Sequence, residues 1–112
     1  MRKYQELSLE QIIEQMRVDE SSSDEFCLYG KEDGELVLDR LYWVSDYPDV
    51  VEDHDVYPTD VVEQDLQLVY YGEQLLDVLS VALEEKLDAS PQDLVEALNY
   101  YQEHDSFMPF KR

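Results

Sequence analysis

Apolar residues recur at helical spacing in three stretches of the chain and in shorter, strand-like runs between them. Ser8-Leu9-Glu10-Gln11 has the form of a capping box, in which a serine and a glutamine side chain each occupy an amide left free at a helix start. Leu9, Ile12, Ile13 and Met16 then fall on one face, with Glu10, Gln11, Glu14, Gln15 and Arg17 on the other, so a helix is predicted over about 9–17. The run Asp19-Glu20-Ser21-Ser22-Ser23-Asp24 breaks it and reads as a surface loop.

Residues 25–29 and 35–39 read as short strands on either side of Gly30-Lys31-Glu32-Asp33-Gly34, whose glycines suit a hairpin loop; a β-hairpin is expected there. Its second strand is expected to continue through Leu41-Tyr42-Trp43-Val44, an unbroken apolar run of the kind covered on both faces, with Arg40 at a bend. Pro48 and Pro58 lack amide donors and restrict the residues before them, which predicts a long loop between them rather than a regular element. A helical turn from Thr59 or Asp60 would carry Val61 and Val62 inward and leave Asp60, Glu63 and Asp65 in water. Residues 66–71 read as a short strand.

Leu75, Leu76, Leu79, Ala82, Leu83 and Leu87 define the central core helix over about 73–87, its stripe widened by Val78 and Val81. Ser90-Pro91-Gln92-Asp93 opens the last helix with a capping serine, a proline at the first position and an acid at the third. Leu94, Ala97, Leu98 and Tyr101 form its buried face, it ends near His104 or Asp105, and Phe107 and Phe110 are expected to fold back on the core. The pattern is α+β: a single domain over 1–112, with a small antiparallel sheet packed by about three helices and no internal repeat.

Charge changes this picture most. The chain carries 28 acids against 8 bases, a net charge of −20, yet its 44% hydrophobic and 12% aromatic content supports a folded core rather than an acidic coil. A folded chain of this mass exposes roughly 6,500 Å². Spread evenly, the excess would put only about 2 or 3 negative charges in a standard binding patch of about 800 Å². Clustering is therefore the informative quantity. Residues 41–85 hold twelve acids and no Lys or Arg, and eight of those acids fall within 46–65, interleaved with Tyr47 and Tyr57.

Such a surface repels nucleic acid and anionic lipid, so neither direct nucleic-acid binding nor membrane binding is expected, and a basic protein partner is the natural complement. The plain alternative is that the acidity serves solubility. No apolar stretch follows the basic residues at the N-terminus and no long apolar run occurs elsewhere, so a cytoplasmic protein is expected.

Catalytic patterns are missing. With 28 carboxylates some pair meets any spacing rule, so paired acids carry no signal. His54 and His104 lie in no nucleophile or metal motif, and Glu52-Asp53-His54-Asp55 lacks the glycine and ligand spacing of a calcium loop. Gly30, Gly34 and Gly72 are isolated and cradle no phosphate. The single Cys27 can form no internal disulfide and sits in a strand-like run, where burial as a small hydrophobe is expected. Neither enzymatic activity nor a metal nor a cofactor is expected. The adjacent aromatic pairs Tyr42-Trp43, Tyr70-Tyr71 and Tyr100-Tyr101 point to opposite sides of their elements, and core packing is favoured for them over partner contact.

In size, acidity, lack of disulfides and single-domain α+β pattern the chain resembles the cytosolic immunity proteins of bacterial toxin systems, especially those of contact-dependent growth inhibition. The run Leu94-Val95-Glu96-Ala97-Leu98-Asn99-Tyr100-Tyr101-Gln102-Glu103-His104-Asp105-Ser106-Phe107 also looks like the closing helix of a family of small bacterial proteins. The resemblance implies a stoichiometric, non-catalytic inhibitor, read as a monomer, that binds the basic surface of one toxin, most often a nuclease (RNase) domain. Its candidate contacts are Asp46, Asp49, Glu52, Asp53, Asp55 and Asp60, standing in for phosphates, with Tyr47 and Tyr57 as anchors. Two other readings stay open: a nucleic-acid mimic that blocks a DNA-binding or restriction protein, and an acidic regulatory adaptor.

Overall fold

A computed structural model describes residues 3–18, 25–31 and 34–109 of the 112. The elements run β1 (Gln5–Ser8), α1 (Leu9–Val18), β2 (Cys27–Gly30), β3 (Leu41–Ser45), β4 (Asp49–Val51), β5 (His54–Val56), α2 (Thr59–Glu63), β6 (Gln67–Tyr71), α3 (Gly72–Glu85) and α4 (Pro91–His104). Four strands form an antiparallel sheet in the order β1-β3-β2-β6, and β4 and β5 form a separate two-stranded hairpin. The fold is the expected α+β class. The polar run 19–24, the tip of the expected loop at 32–33 and Phe110 lie outside the described residues.

Both faces of the sheet are covered. Leu28, Tyr42, Val44 and Tyr70 face the layer of α1, α3 and α4, where Leu9, Ile12, Ile13, Leu75, Val78, Leu94 and Leu98 complete the main core. Cys27 and Tyr29 face the other way and meet Val61 of α2, with Trp43, Tyr47, Tyr57, Leu66, Leu68 and Tyr71 packed around them. All four residues of the inner strand β2 are consequently buried. The bulge opposite Leu28 and Tyr29 leaves Val69 unpaired and turns both Val69 and Tyr70 toward the helical layer.

The predicted caps are present. Ser8 Oγ accepts from the Gln11 amide at 3.2 Å while Gln11 Oε1 accepts from the Ser8 amide at 3.0 Å. Ser90 and Asp93 form the same reciprocal pair at the start of α4, and Asp93 also holds Lys86 at 2.9 Å, tying the end of α3 to α4. Phe107 reaches back to the Tyr101 ring, 5.3 Å between centroids, although it keeps an exposed side.

Three expectations are corrected. Residues 35–39 do not pair with β2, which instead pairs with β3 and β6. The apolar run there reflects burial of Leu36, whose amide and carbonyl are met at 2.6 and 3.1 Å by the two ends of the Asn99 amide on α4, a side-chain substitute for a strand partner. Residues 5–8, not predicted as a strand, form the edge strand β1 against β3. The proline-bracketed stretch is not a plain loop, because the β4–β5 hairpin stands between Pro48 and Pro58.

Candidate functional site

The hairpin is built from two β-branched triplets, Asp49-Val50-Val51 and His54-Asp55-Val56, joined by the two-residue turn Glu52-Asp53. Both turn residues have positive φ, 50° and 65°, the requirement of the type I′ turn that matches strand twist. Both prolines fall outside the paired residues, where a missing amide costs the ladder nothing. The register Asp49↔Val56, Val50↔Asp55, Val51↔His54 puts Asp49, Val51, His54 and Val56 on one face and Val50 and Asp55 on the other, with Glu52 and Asp53 at the tip.

Neither hairpin face is buried. Val50 is 72% exposed, and Val51 and Val56 are about half exposed, so three branched aliphatics stand in water among four carboxylates. The side chains of Asp49, Glu52, Asp53 and Asp55 make no hydrogen bond or ion pair among the described residues. Core packing does not account for these side chains. The finger is thus an exposed acidic and aliphatic patch that projects from the sheet.

The root of the finger is fixed by the other four candidates. The Tyr47 ring stacks on Tyr71, with centroids 5.7 Å apart and planes at 22°, and its hydroxyl accepts from the Glu73 amide at 2.9 Å, satisfying one of the free donors at the start of α3. The Tyr57 ring meets Tyr29 edge-on at 6.2 Å. Tyr29, fully buried, donates to the Asp46 carbonyl at 2.7 Å, and burial pushes its phenol well above the usual range. Burial first, and then the charge of Asp55, raises the Tyr71 phenol above its ordinary value.

Asp46 and Asp60 are engaged within the chain. The Asp46 carboxylate accepts from the Tyr4 hydroxyl and lies 2.9 Å from Lys3 Nζ, and these two partners, the hydroxyl first, hold its pKa below the ordinary carboxylate value. Asp60 Oδ2 accepts from Trp43 Nε1 at 2.6 Å and from Ser45 Oγ at 2.7 Å. Asp60 therefore turns toward the sheet, where water had been expected, and Val62, expected inside, is 64% exposed. Glu63 and Asp65 are exposed as expected. The eight sequence candidates thus divide into a solvent-facing quartet, Asp49, Glu52, Asp53 and Asp55, and a supporting quartet, Asp46, Tyr47, Tyr57 and Asp60.

The Asp46 clasp gives a pH test. Its folded pKa lies below the unfolded value, so its contribution to stability is present above about pH 4 and is lost as pH falls through the folded value. Tyr4→Phe is expected to move the Asp46 titration back up by more than Lys3→Ala does, read from the side-chain carboxyl shift by NMR; an unmoved midpoint in both variants would refute the clasp.

Cations sit at the opposite end of β3. Lys31 and Arg40 line a cavity of about 280 Å³ with Glu6, Leu41 and Trp43. Cys27 is buried and burial pushes its thiol up to about 11, so it is a thiol at neutral pH and no ready nucleophile. His54 is exposed on the hairpin, and His104 lies over the Tyr100 ring at 4.2 Å. Among the described residues no three His, Cys, Asp or Glu side chains gather in a metal-holding group. No helix among them is long and apolar enough to cross a membrane.

The family model described as "Domain of unknown function (DUF7716)" matches residues 6–110, a span from β1 past the end of α4 that includes the hairpin, and the chain belongs to that family. No curated protein and no solved structure matches the chain.

Proposed function

We propose that this chain is a non-catalytic inhibitor acting in the cytoplasm, of the bacterial immunity type, that binds the basic surface of a toxin nuclease domain with the β4–β5 hairpin. One observation carries the reading. The hairpin exposes four carboxylates and three valines that the fold does not use, on a root fixed by the half-buried Tyr47 and Tyr57 and by Asp60.

A basic surface that holds nucleic acid offers Lys and Arg side chains where phosphates would lie, and the hairpin carboxylates can take those places. The valines then bury apolar area between the ion pairs. Long-range attraction from the negative charge speeds encounter, and the fixed root limits the ordering cost of docking. Hairpin acids should govern the association rate, and the supporting quartet should govern how long the complex lasts.

The test is stopped-flow association with the toxin domain encoded next to this chain's gene, between 10 and 300 mM salt. The Debye length shrinks from roughly 30 Å at 0.01 M to about 8 Å at 0.15 M, so a steered rate must fall across that range. At low salt Asp53→Lys with Asp55→Lys should slow association about 10-fold or more while leaving circular dichroism unchanged. A rate indifferent both to salt and to the two substitutions would overturn the proposal. Equal inhibition of unrelated DNA-binding proteins would support the nucleic-acid-mimic reading in its place.

A further inference from the structure

The helical layer carries a second surface that the hairpin does not touch. A groove of about 640 Å³ lies between α1 and α3, with Met16 and Leu79 at its floor. Leu76, Leu79 and Leu83 follow one another along α3 at i, i+3 and i+7, and Leu87, 86% exposed, extends the line just past the helix end. Leu76 to Leu83 covers about two helical turns, roughly 10 Å, and Leu87 lengthens the line beyond the helix end. Leu79 is buried and Leu76 and Leu83 pack partly against the core, but their outer sides and Leu87, almost wholly in water, leave an unfinished packing surface.

Its edges have opposite character. On α3 the next arc beyond the leucines holds Glu73, Asp77 and Glu84, all exposed and none ion-paired among the described residues. On α1 the rim holds Arg17, already 3.7 Å from Glu14. The groove is therefore apolar along its length and anionic along one side. A second copy of the chain would bring another −20 charge against that ridge, and anionic lipid would meet the same repulsion. A partner helix with Lys or Arg flanking an apolar stripe meets both the leucines and the acids.

We propose that the α1–α3 groove docks a basic amphipathic helix of a protein partner, whose apolar residues at i, i+3 or i+4 and i+7 seat on Leu76, Leu83 and Leu87 while its basic flank pairs with Glu73, Asp77 and Glu84. This is the helix-in-groove mode, in which spacing along one face sets the register. It is independent of the hairpin: α1 and α3 cover the sheet face opposite the one that carries α2 and the hairpin root.

The probe is a fluorescein-labelled 18-residue Leu/Lys peptide with leucines at helical spacing, compared by anisotropy in 150 mM salt with a scrambled peptide of identical composition. The patterned peptide should bind 1:1 with Kd on the order of 10 µM and gain helicity, and the scrambled one should bind at least 10-fold more weakly. Leu87→Asp and Glu84→Lys, both at exposed positions, should each weaken binding about 5-fold or more, whereas Asp53→Lys on the hairpin should leave it within about 2-fold. Equal binding of both peptides, no saturable binding, or indifference to Leu87→Asp and Glu84→Lys would each overturn the proposal. A dimer in sedimentation that Leu87→Asp dissociates would also overturn it, by assigning the groove to a second copy.

Discussion

Replacing Asp60 by alanine is expected to lower the unfolding free energy by about 3 kcal/mol, which for a chain of this length is a fall in Tm of about 13 °C. One carboxylate oxygen accepts from both the Trp43 ring nitrogen and the Ser45 hydroxyl, at 2.6 and 2.7 Å. A hydrogen bond to a charged group is worth about 1.5–3 kcal/mol, and Ser45 is fully buried, so its hydroxyl would lose its acceptor without gaining water. Asp60→Asn keeps an oxygen acceptor without the charge and should cost about half as much. Urea melts of the two variants provide the check: a loss below about 1 kcal/mol for the alanine would mean that the two bonds do not stabilise the fold.

The same substitution separates support from contact. Asp60 ties α2 to β3, and the chain between those elements carries the hairpin. In Asp60→Ala the four exposed acids remain, so steering persists and association should slow little. Dissociation should quicken, because a loosened root must be ordered on each binding event. Asp53→Lys with Asp55→Lys should do the reverse. If the two variants altered the same rate constant, the division between the two quartets would be incorrect.

The elements legible in the sequence are those whose stabilising partners lie within a turn or two. α1 and α4 announce themselves by reciprocal caps, Ser8 with Gln11 and Ser90 with Asp93, each three residues apart. The apolar runs of β3 and β6 correctly signal strands, and α3 shows its leucine period as far as Leu83, whereas Leu87, expected on the same core stripe, lies past the helix end at Glu85 and is 86% exposed. What escaped depends on distant pairing. β1 is a four-residue edge whose existence rests on β3, some 36 residues away, and Leu36 owes its backbone partners to Asn99, 63 residues on. Glu35 to Asp39 has the apolar content of a strand, yet it reports only that Leu36 and Leu38 turn inward while Val37 stays exposed.

Asp60 escaped for a similar reason. A charge count treats all eight acids of 46–65 alike, and nothing local distinguishes an acid facing an indole 17 residues back from one facing water. The asymmetry of charge was therefore legible, but the identity of the free carboxylates was not. They became distinguishable only through the hairpin register, which aligns Asp49, Asp55 and the tip residues on a projecting element and leaves Asp46 and Asp60 at its base.

The tip itself yields the other large effect. Type I′ turns require φ > 0 at both central residues, a conformation that Asn-Gly adopts readily and that costs a residue with a side chain on the order of 1–2 kcal/mol, less for aspartate than for glutamate. Glu52 and Asp53 both adopt it, at 50° and 65°. Glu52→Asn with Asp53→Gly should therefore stabilise the hairpin by about 2 kcal/mol. Because the hairpin packs loosely on the body, the gain should appear as slower amide exchange across Asp49–Val51 and His54–Val56, and little of it as a higher global Tm. The variant also removes two of the four exposed acids, and its association with a basic partner should slow several-fold at low salt. A finger more firmly formed yet slower to bind would mean that charge, more than shape, is why strained acids occupy the turn; faster binding would instead make pre-organisation of the hairpin the limiting term.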